Sequence, residues 1–255
     1  MQTQWPHKLW IVRHGQSAGN VARDAAESAG LEMIDLAWRD IDVPLSDLGE
    51  QQSIALGQWF GRQPGDFQPE VVLCSPYVRA VQTARLLVEH SGLQDCSLRL
   101  DERLREKEFG VLDRLTRYGI KQKHPALDEQ RTHVGKFYFR PPGGESWCDV
   151  ILRLRSLQEM VTREYAGQRV LVVAHQVIVN CMRYLIEQMD ERQILDIDRQ
   201  GDVPNCAVTI YRLQSPDDPA QAVGMKLIQA NFLAPLQEAA TPVTVAADIP
   251  TGPKP

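Results

Sequence analysis

The apolar run Leu9-Trp10-Ile11-Val12 ends in Arg13-His14-Gly15-Gln16-Ser17, with Asn20 three residues further on. A cation beside an imidazole at the end of a buried strand offers a phosphate-sized anion site and a nucleophile together, at the sheet edge where α/β folds keep their active sites. Gly15 lets the chain turn and a bound group approach the backbone, while Gln16, Ser17 and Asn20 offer neutral donors at the start of a predicted helix. None of these needs a metal. A second histidine, His175, closes the apolar run RVLVVAH in the same kind of position as His14. The run EVVLCS brings Ser75 to the same edge, and Arg79 follows one turn into the next helix, aimed back toward the strand end. A guanidinium there can grip a phosphate bidentately, since its planar fork matches the oxyanion geometry. Finally, DERLREKEFG supplies Asp101, Glu102, Glu106 and Glu108, any one of which could donate a proton.

Short apolar runs alternate with longer amphipathic stretches, which predicts a three-layer α/β/α sandwich with a mostly parallel central sheet. Strands are expected over 8–14, 70–75, 169–175 and 207–213, with weaker ones over 97–100 and 224–230. The first three are nearly continuous apolar runs, as buried strands should be. Ser46 caps a predicted helix whose apolar face includes Leu48, Ile54, Ala55, Leu56, Trp59 and Phe60, and Pro76 opens another that Gly92 could end. Further helices are expected from about Ser146 to Tyr165 and from Val177 to Met189. One domain over 1–233 is expected, with an insertion or lid at about 113–144. The segment 234–255, rich in Ala, Pro and Thr, reads as a tail outside the fold.

Among the 255 residues, 43% are apolar and 24% charged, an ordinary globular composition. The 28 Lys and Arg against 33 Asp and Glu leave a net charge of -5, which argues against nucleic acid or an anionic membrane as partner. Any anion site must therefore be local. Five scattered cysteines without a C-x-x-C, no leader and no apolar stretch long enough to span a membrane give a cytoplasmic expectation. With no H-E-x-x-H and no Cys/His ligand spacing, neither a metal nor another cofactor is expected.

The segments RHGQSAGN, SPYVRAVQTA, LREKEFG and VVAH, in that order, resemble the histidine phosphatase superfamily, which includes the cofactor-dependent phosphoglycerate mutases. PLSDLGEQQ fits the same pattern, and the likeness runs from Lys8 to about Leu213. The resemblance implies a phosphoglycerate mutase-like fold. It implies that His14 is the nucleophile, that Arg13, Arg79 and His175 hold the phosphoryl group, and that Glu106 exchanges protons. Gln16, Ser17 and Asn20 would line the phosphate site. Such chemistry needs His14 neutral, with one ring nitrogen free and the other ring N–H held by a carbonyl. The two arginines would disfavour its protonation and neutralise charge on the transferred group.

The sequence departs from the mutase pattern. No adjacent arginine pair lies between Glu106 and His175, Phe109 stands where mutases usually carry Tyr, and Gln176 follows His175. LTRYGIKQKHP, FYFRPPGGESWCDVILRL and VLVVAHQVIVNCMRYLI instead resemble the bisphosphatase domain of the bifunctional fructose-2,6-bisphosphate enzyme. By that likeness Tyr118, Lys136, Trp147 and Gln176 are candidate substrate contacts. Asn180 stands where that family carries an arginine, with Arg183 three residues later, and the segment 21–43, including Arg39, is long enough to cap the site. The expectation is a metal-independent hydrolase acting through phosphohistidine on a small phosphorylated metabolite, a sugar phosphate among the candidates. The alternatives are a cofactor-dependent phosphoglycerate mutase and a catalytically silent member that binds phosphorylated ligands.

Overall fold

The computed structural model describes residues 5–93, 96–214 and 224–245. Its strands are β1 (Lys8–Arg13), β2 (Val71–Cys74), β3 (Ser97–Leu100), β4 (Arg169–Ala174), β5 (Val208–Leu213) and β6 (Met225–Phe232). They form one sheet in the order β3-β2-β4-β1-β5-β6. The first four in that order are mutually parallel, β5 runs antiparallel to β1, and β6 antiparallel to β5. The helices are α1 (Ala18–Ser28), α2 (Asp47–Gly61), α3 (Val78–Ser91), α4 (Arg117–Lys123), α5 (Pro125–Val134), α6 (Trp147–Glu164), α7 (Gln176–Ile186), α8 (Glu191–Gln200) and α9 (Ala234–Glu238).

Strand alternation divides the apolar side chains into two cores, which makes the three layers. Leu9, Ile11, Leu73 and Val172 pack with Leu154 of α6 and Ile178 of α7. Their neighbours Trp10, Val12, Val72 and Leu171 pack on the other face with Leu56 and Phe60 of α2 and Leu87 of α3. Because both faces are covered, these strands carry no alternation of polar residues, which is why they read as unbroken apolar runs.

Helix ends follow local chemistry. Ser46 Oγ accepts the Gly49 N–H at the start of α2, and Ser146 forms a reciprocal cap with Asp149 before α6. α3 begins two residues beyond Pro76, with Tyr77 at its cap, and ends at Gly92 in the left-handed conformation (φ 71°). α7 stops at Ile186, short of the expected Met189.

The segments 21–43 and 113–144 join into one cap. α4 and α5 lie beside a third, small core of Phe109, Leu112, Leu115, Ile120 and Phe139. Arg114 accepts the Ile34 N–H (2.8 Å) through its carbonyl and donates from its guanidinium to the carbonyls of Leu36 (3.0 Å) and Trp38 (2.6 Å). Thr116 Oγ donates to the Leu31 carbonyl at 2.5 Å.

The expected tail is a correction from its first residues. Leu236 of α9 is fully buried in the core under α2, and 241–245 hydrogen-bond to the body of the protein, whereas 246–255 lie outside the described residues. Sequence periodicity missed this because the short segment is held by two buried apolar side chains, Pro235 and Leu236, backbone carbonyls and a hydroxyl.

Candidate active site

Three neighbouring parallel strands deliver the site. β1 lies beside β4 and β4 beside β2, so His14, His175 and Ser75, each one residue past its strand, meet at one sheet edge. The His14 N–H donates to the Ala174 carbonyl (2.9 Å), and the two imidazoles meet edge to face with centroids 5.0 Å apart.

The His14 ring has a defined tautomer. Nδ1 sits 2.6 Å from the Gly15 carbonyl oxygen, which can only accept, so Nδ1 carries the proton and Nε2 the lone pair. Burial above all, then Arg79 and Arg13, hold the His14 pKa well below the ordinary imidazole value. His175 is lowered in the same way, by burial first and then Arg79 and His14. At neutral pH both rings are therefore neutral. Nε2 of His175 lies 2.8 Å from Ser75 Oγ.

Arg13 donates to the Gln176 Oε1 (2.8 Å) and to the Val203 carbonyl, and Gln176 in turn donates to Asp202 (2.6 Å). Arg79 lies over the Tyr77 ring and is paired with Asp40 of the cap, Nη1 to Oδ1 at 3.0 Å. Glu106 is buried, with its Oε1 accepting the Lys107 N–H (2.8 Å). Its own carbonyl accepts from Arg153 (3.2 Å), which Glu145 fixes in place (Nε to Oε1 2.9 Å).

Arg13, His14, Arg79, Glu106 and Gln176 open on a cavity of about 710 Å³ that continues into solvent, whereas His175 is fully buried against His14 and does not line the cavity. Arg13, His14, Ser17, Asn20, Arg79, Glu106 and Gln176 line its floor as a phosphate-sized polar set. The cap lines the remainder with Arg23, Ile34, Leu36, Trp38, Asp40 and Val43, and Gly19, Phe109, Asp113 and Arg114 complete it. A dianion on the floor would meet two guanidiniums, a neutral nucleophilic nitrogen and a buried carboxyl group.

Other sequence expectations are corrected. Gln16 is turned to α2, its Oε1 accepting from Ser46 Oγ (2.7 Å), and does not line the cavity. Trp147 is the first residue of α6 and fully buried in the core, because an apolar ring at that position packs on Phe137. Lys136 lies over that ring and forms an ion pair with Asp198 (2.7 Å). Tyr118 projects to the surface at 48% exposure. Arg183 pairs with Glu187 on its own helix (2.9 Å) and takes no place in the cavity; Arg39 of the cap pairs with Asp42.

The sequence reading missed the brace behind His14. Asn205 donates from Nδ2 to the His14 carbonyl (2.9 Å), while its Oδ1 accepts from Thr244 Oγ (3.0 Å). Gln52 accepts the Gln16 N–H (2.9 Å) and donates to the Pro242 carbonyl (2.9 Å) and to Thr244 Oγ (3.0 Å). Helix α2 also presses directly on the turn. A Cβ on Gly49 would lie 1.9 Å from the Gln16 oxygen, and one on Gly15 would lie 2.5 Å from the Gly49 oxygen. Asn205 belongs to no motif, and Gln52, the last residue of PLSDLGEQQ, has partners distant in sequence, so no local signal marks the brace.

A mostly parallel sheet carrying a buried histidine between two arginines at its carboxyl edge points to the α/β proteins that handle phosphoryl groups. The chain belongs to the histidine phosphatase superfamily, whose branch 1 model matches residues 9–220. It is 29% identical over 211 residues to a 2,3-bisphosphoglycerate-dependent phosphoglycerate mutase of Methylobacterium radiotolerans, covering 81% of this chain and 90% of that protein. A mycobacterial glucosyl-3-phosphoglycerate phosphatase has a similar structure, with 26% identity and a TM-score of 0.68 over 89% of this chain and all of the other. The alpha-ribazole phosphatase of Shigella flexneri shares the fold at 20% identity, with a TM-score of 0.67 over 88% of this chain and 96% of that one.

Proposed function

We propose that the protein hydrolyses phosphomonoesters through a phospho-His14 intermediate, without a metal. The observation that carries this reading is the His14 tautomer, in which the Gly15 carbonyl holds the Nδ1 proton and leaves Nε2 as a neutral nucleophile beside Arg13 and Arg79. Nε2 attacks phosphorus, the ester P–O bond breaks, and Glu106 gives its proton to the departing alkoxide. Glu106, now a carboxylate, takes a proton from water, whose oxygen attacks phosphorus as the P–N bond breaks. Inorganic phosphate leaves, and His14 and Glu106 return to their starting states.

Water as acceptor is favoured over a second substrate oxygen by the departures from the mutase pattern, since no adjacent arginine pair lies between Glu106 and His175 and Gln176 follows His175. The sequence relatives named as mutases support the other reading. Rapid quenching with labelled p-nitrophenyl phosphate should trap an acid-labile, base-stable phosphoenzyme that His14→Ala lacks. Full turnover by His14→Ala would sink the proposal. Conversion of 3-phosphoglycerate to 2-phosphoglycerate faster than phosphate release would replace hydrolase by mutase.

A further inference from the structure

The cap carries information about the alcohol side of the substrate. Ile34, Leu36 and Trp38 are alternate residues of the cap segment, and all three line the cavity. Their neighbours Met33, Asp35 and Ala37 do not line it and are exposed, so this stretch turns alternate side chains to the cavity. Arg114 fixes that stretch by its bonds to the Leu36 and Trp38 carbonyls, and Val43 and Phe109 complete the apolar wall.

Arg23, Asp40, Asp113 and Arg114 share this side of the cavity with the apolar side chains, and Asp40, Asp113 and Arg114 have bonds within the protein. Arg114 donates to the cap carbonyls, Asp40 holds Arg79, and Asp113 Oδ1 accepts the Arg114 N–H at 3.0 Å. A polyhydroxylated group entering here would lose water from its hydroxyls against an apolar wall, a loss that only new hydrogen bonds could offset.

Resting on the hydrolase reading above, we propose that the preferred substrate is the phosphate ester of an apolar, ring-bearing alcohol, with Leu36 and Trp38 as specificity-determining residues. The ring lies against Ile34, Leu36 and Trp38 while the phosphoryl group occupies the arginine-lined floor. Trp38, 44% exposed at the rim, is covered when the ring binds.

The test compares 2-phenylethyl phosphate with glucose 6-phosphate. Both are esters of primary alcohols, so their leaving groups differ little in acidity and the comparison reads the wall. Wild-type kcat/KM should favour the phenylethyl ester by about 30-fold, the scale set by burying most of a phenyl ring. Trp38→Ala and Leu36→Ser should each narrow the ratio several-fold through KM, as expected for lost apolar burial. The same ratio measured as affinities by calorimetry on His14→Asn protein, which cannot be phosphorylated, separates the two claims. Binding preference without wild-type turnover would refute the hydrolase reading and keep the apolar wall. Turnover with equal or reversed preference would refute the wall and keep the hydrolase, as would a preference that survives both cap substitutions.

Discussion

His14 and Glu106 are asked to do opposite things, one to stay unprotonated and one to give up a proton. Their substitutions should therefore fail in different ways. Glu106→Gln keeps the shape and removes the acid, so kcat should fall by roughly 100- to 10,000-fold. The loss should be larger for alkyl phosphates than for p-nitrophenyl phosphate, whose leaving group needs little help; equal losses across leaving groups would remove Glu106 from the acid role. The two neutral histidines also set a pH dependence of stability. Their folded pKa values lie below the ordinary value of about 6.5, so the unfolded chain binds more protons between the two and stability falls as pH drops through that window. The slope should approach roughly 1.4 kcal/mol per pH unit for each histidine. Thermal unfolding from pH 7.5 to pH 5 checks the sign, and His14→Asn should flatten the curve by removing one titrating group.

At the scale of elements, two contacts behind the nucleophile are open to test. Helix α2 approaches the catalytic turn so closely at Gly49 that a methyl group has no space against the Gln16 carbonyl. Gly49→Ala should destabilise the fold by about 1–3 kcal/mol, the usual cost of overpacking, and slow turnover by moving the turn. An unchanged midpoint in urea would show that α2 yields more easily than the packing implies. Segment 241–245 acts from the other side. Thr244→Val keeps the volume but removes the donor to Asn205 Oδ1 and the acceptor for Gln52, leaving buried polar atoms unpaired at a cost of about 1–3 kcal/mol. Turnover should drop with KM little changed, and Thr244→Ser should restore it. A Ser variant as slow as the Val variant would mean that the methyl group, not the hydroxyl, supplies the support.

For the molecule as a whole, a net charge of -5 leaves the cation-lined floor as a local exception, and among the described residues no group of three or more His, Cys, Asp and Glu is arranged to hold a metal ion. Turnover should accordingly persist in excess EDTA, and its loss with rescue by added Mg²⁺ would contradict the proposed chemistry. The strands and the floor were legible because buried parallel strands write themselves as unbroken apolar runs, and because Arg13, Arg79 and Gln176 sit a few residues from strand ends. Tyr118, Lys136 and Trp147 were misplaced because a likeness in sequence fixes neither which way a helix-start tryptophan faces nor which carboxylate a lysine meets. Asn205 and Thr244 were invisible because their bonds join chain positions that no local pattern connects, and Gln52, though it closes the PLSDLGEQQ segment, gave no sign of its partners. Those bonds also put the site on a schedule. A nascent chain that has reached β5 already holds His14, Arg13, Arg79, Glu106 and His175, but Asn205 and Gln52 wait for Thr244. A chain ended before residue 244 would carry all the residues proposed for catalysis and lack part of the support behind His14.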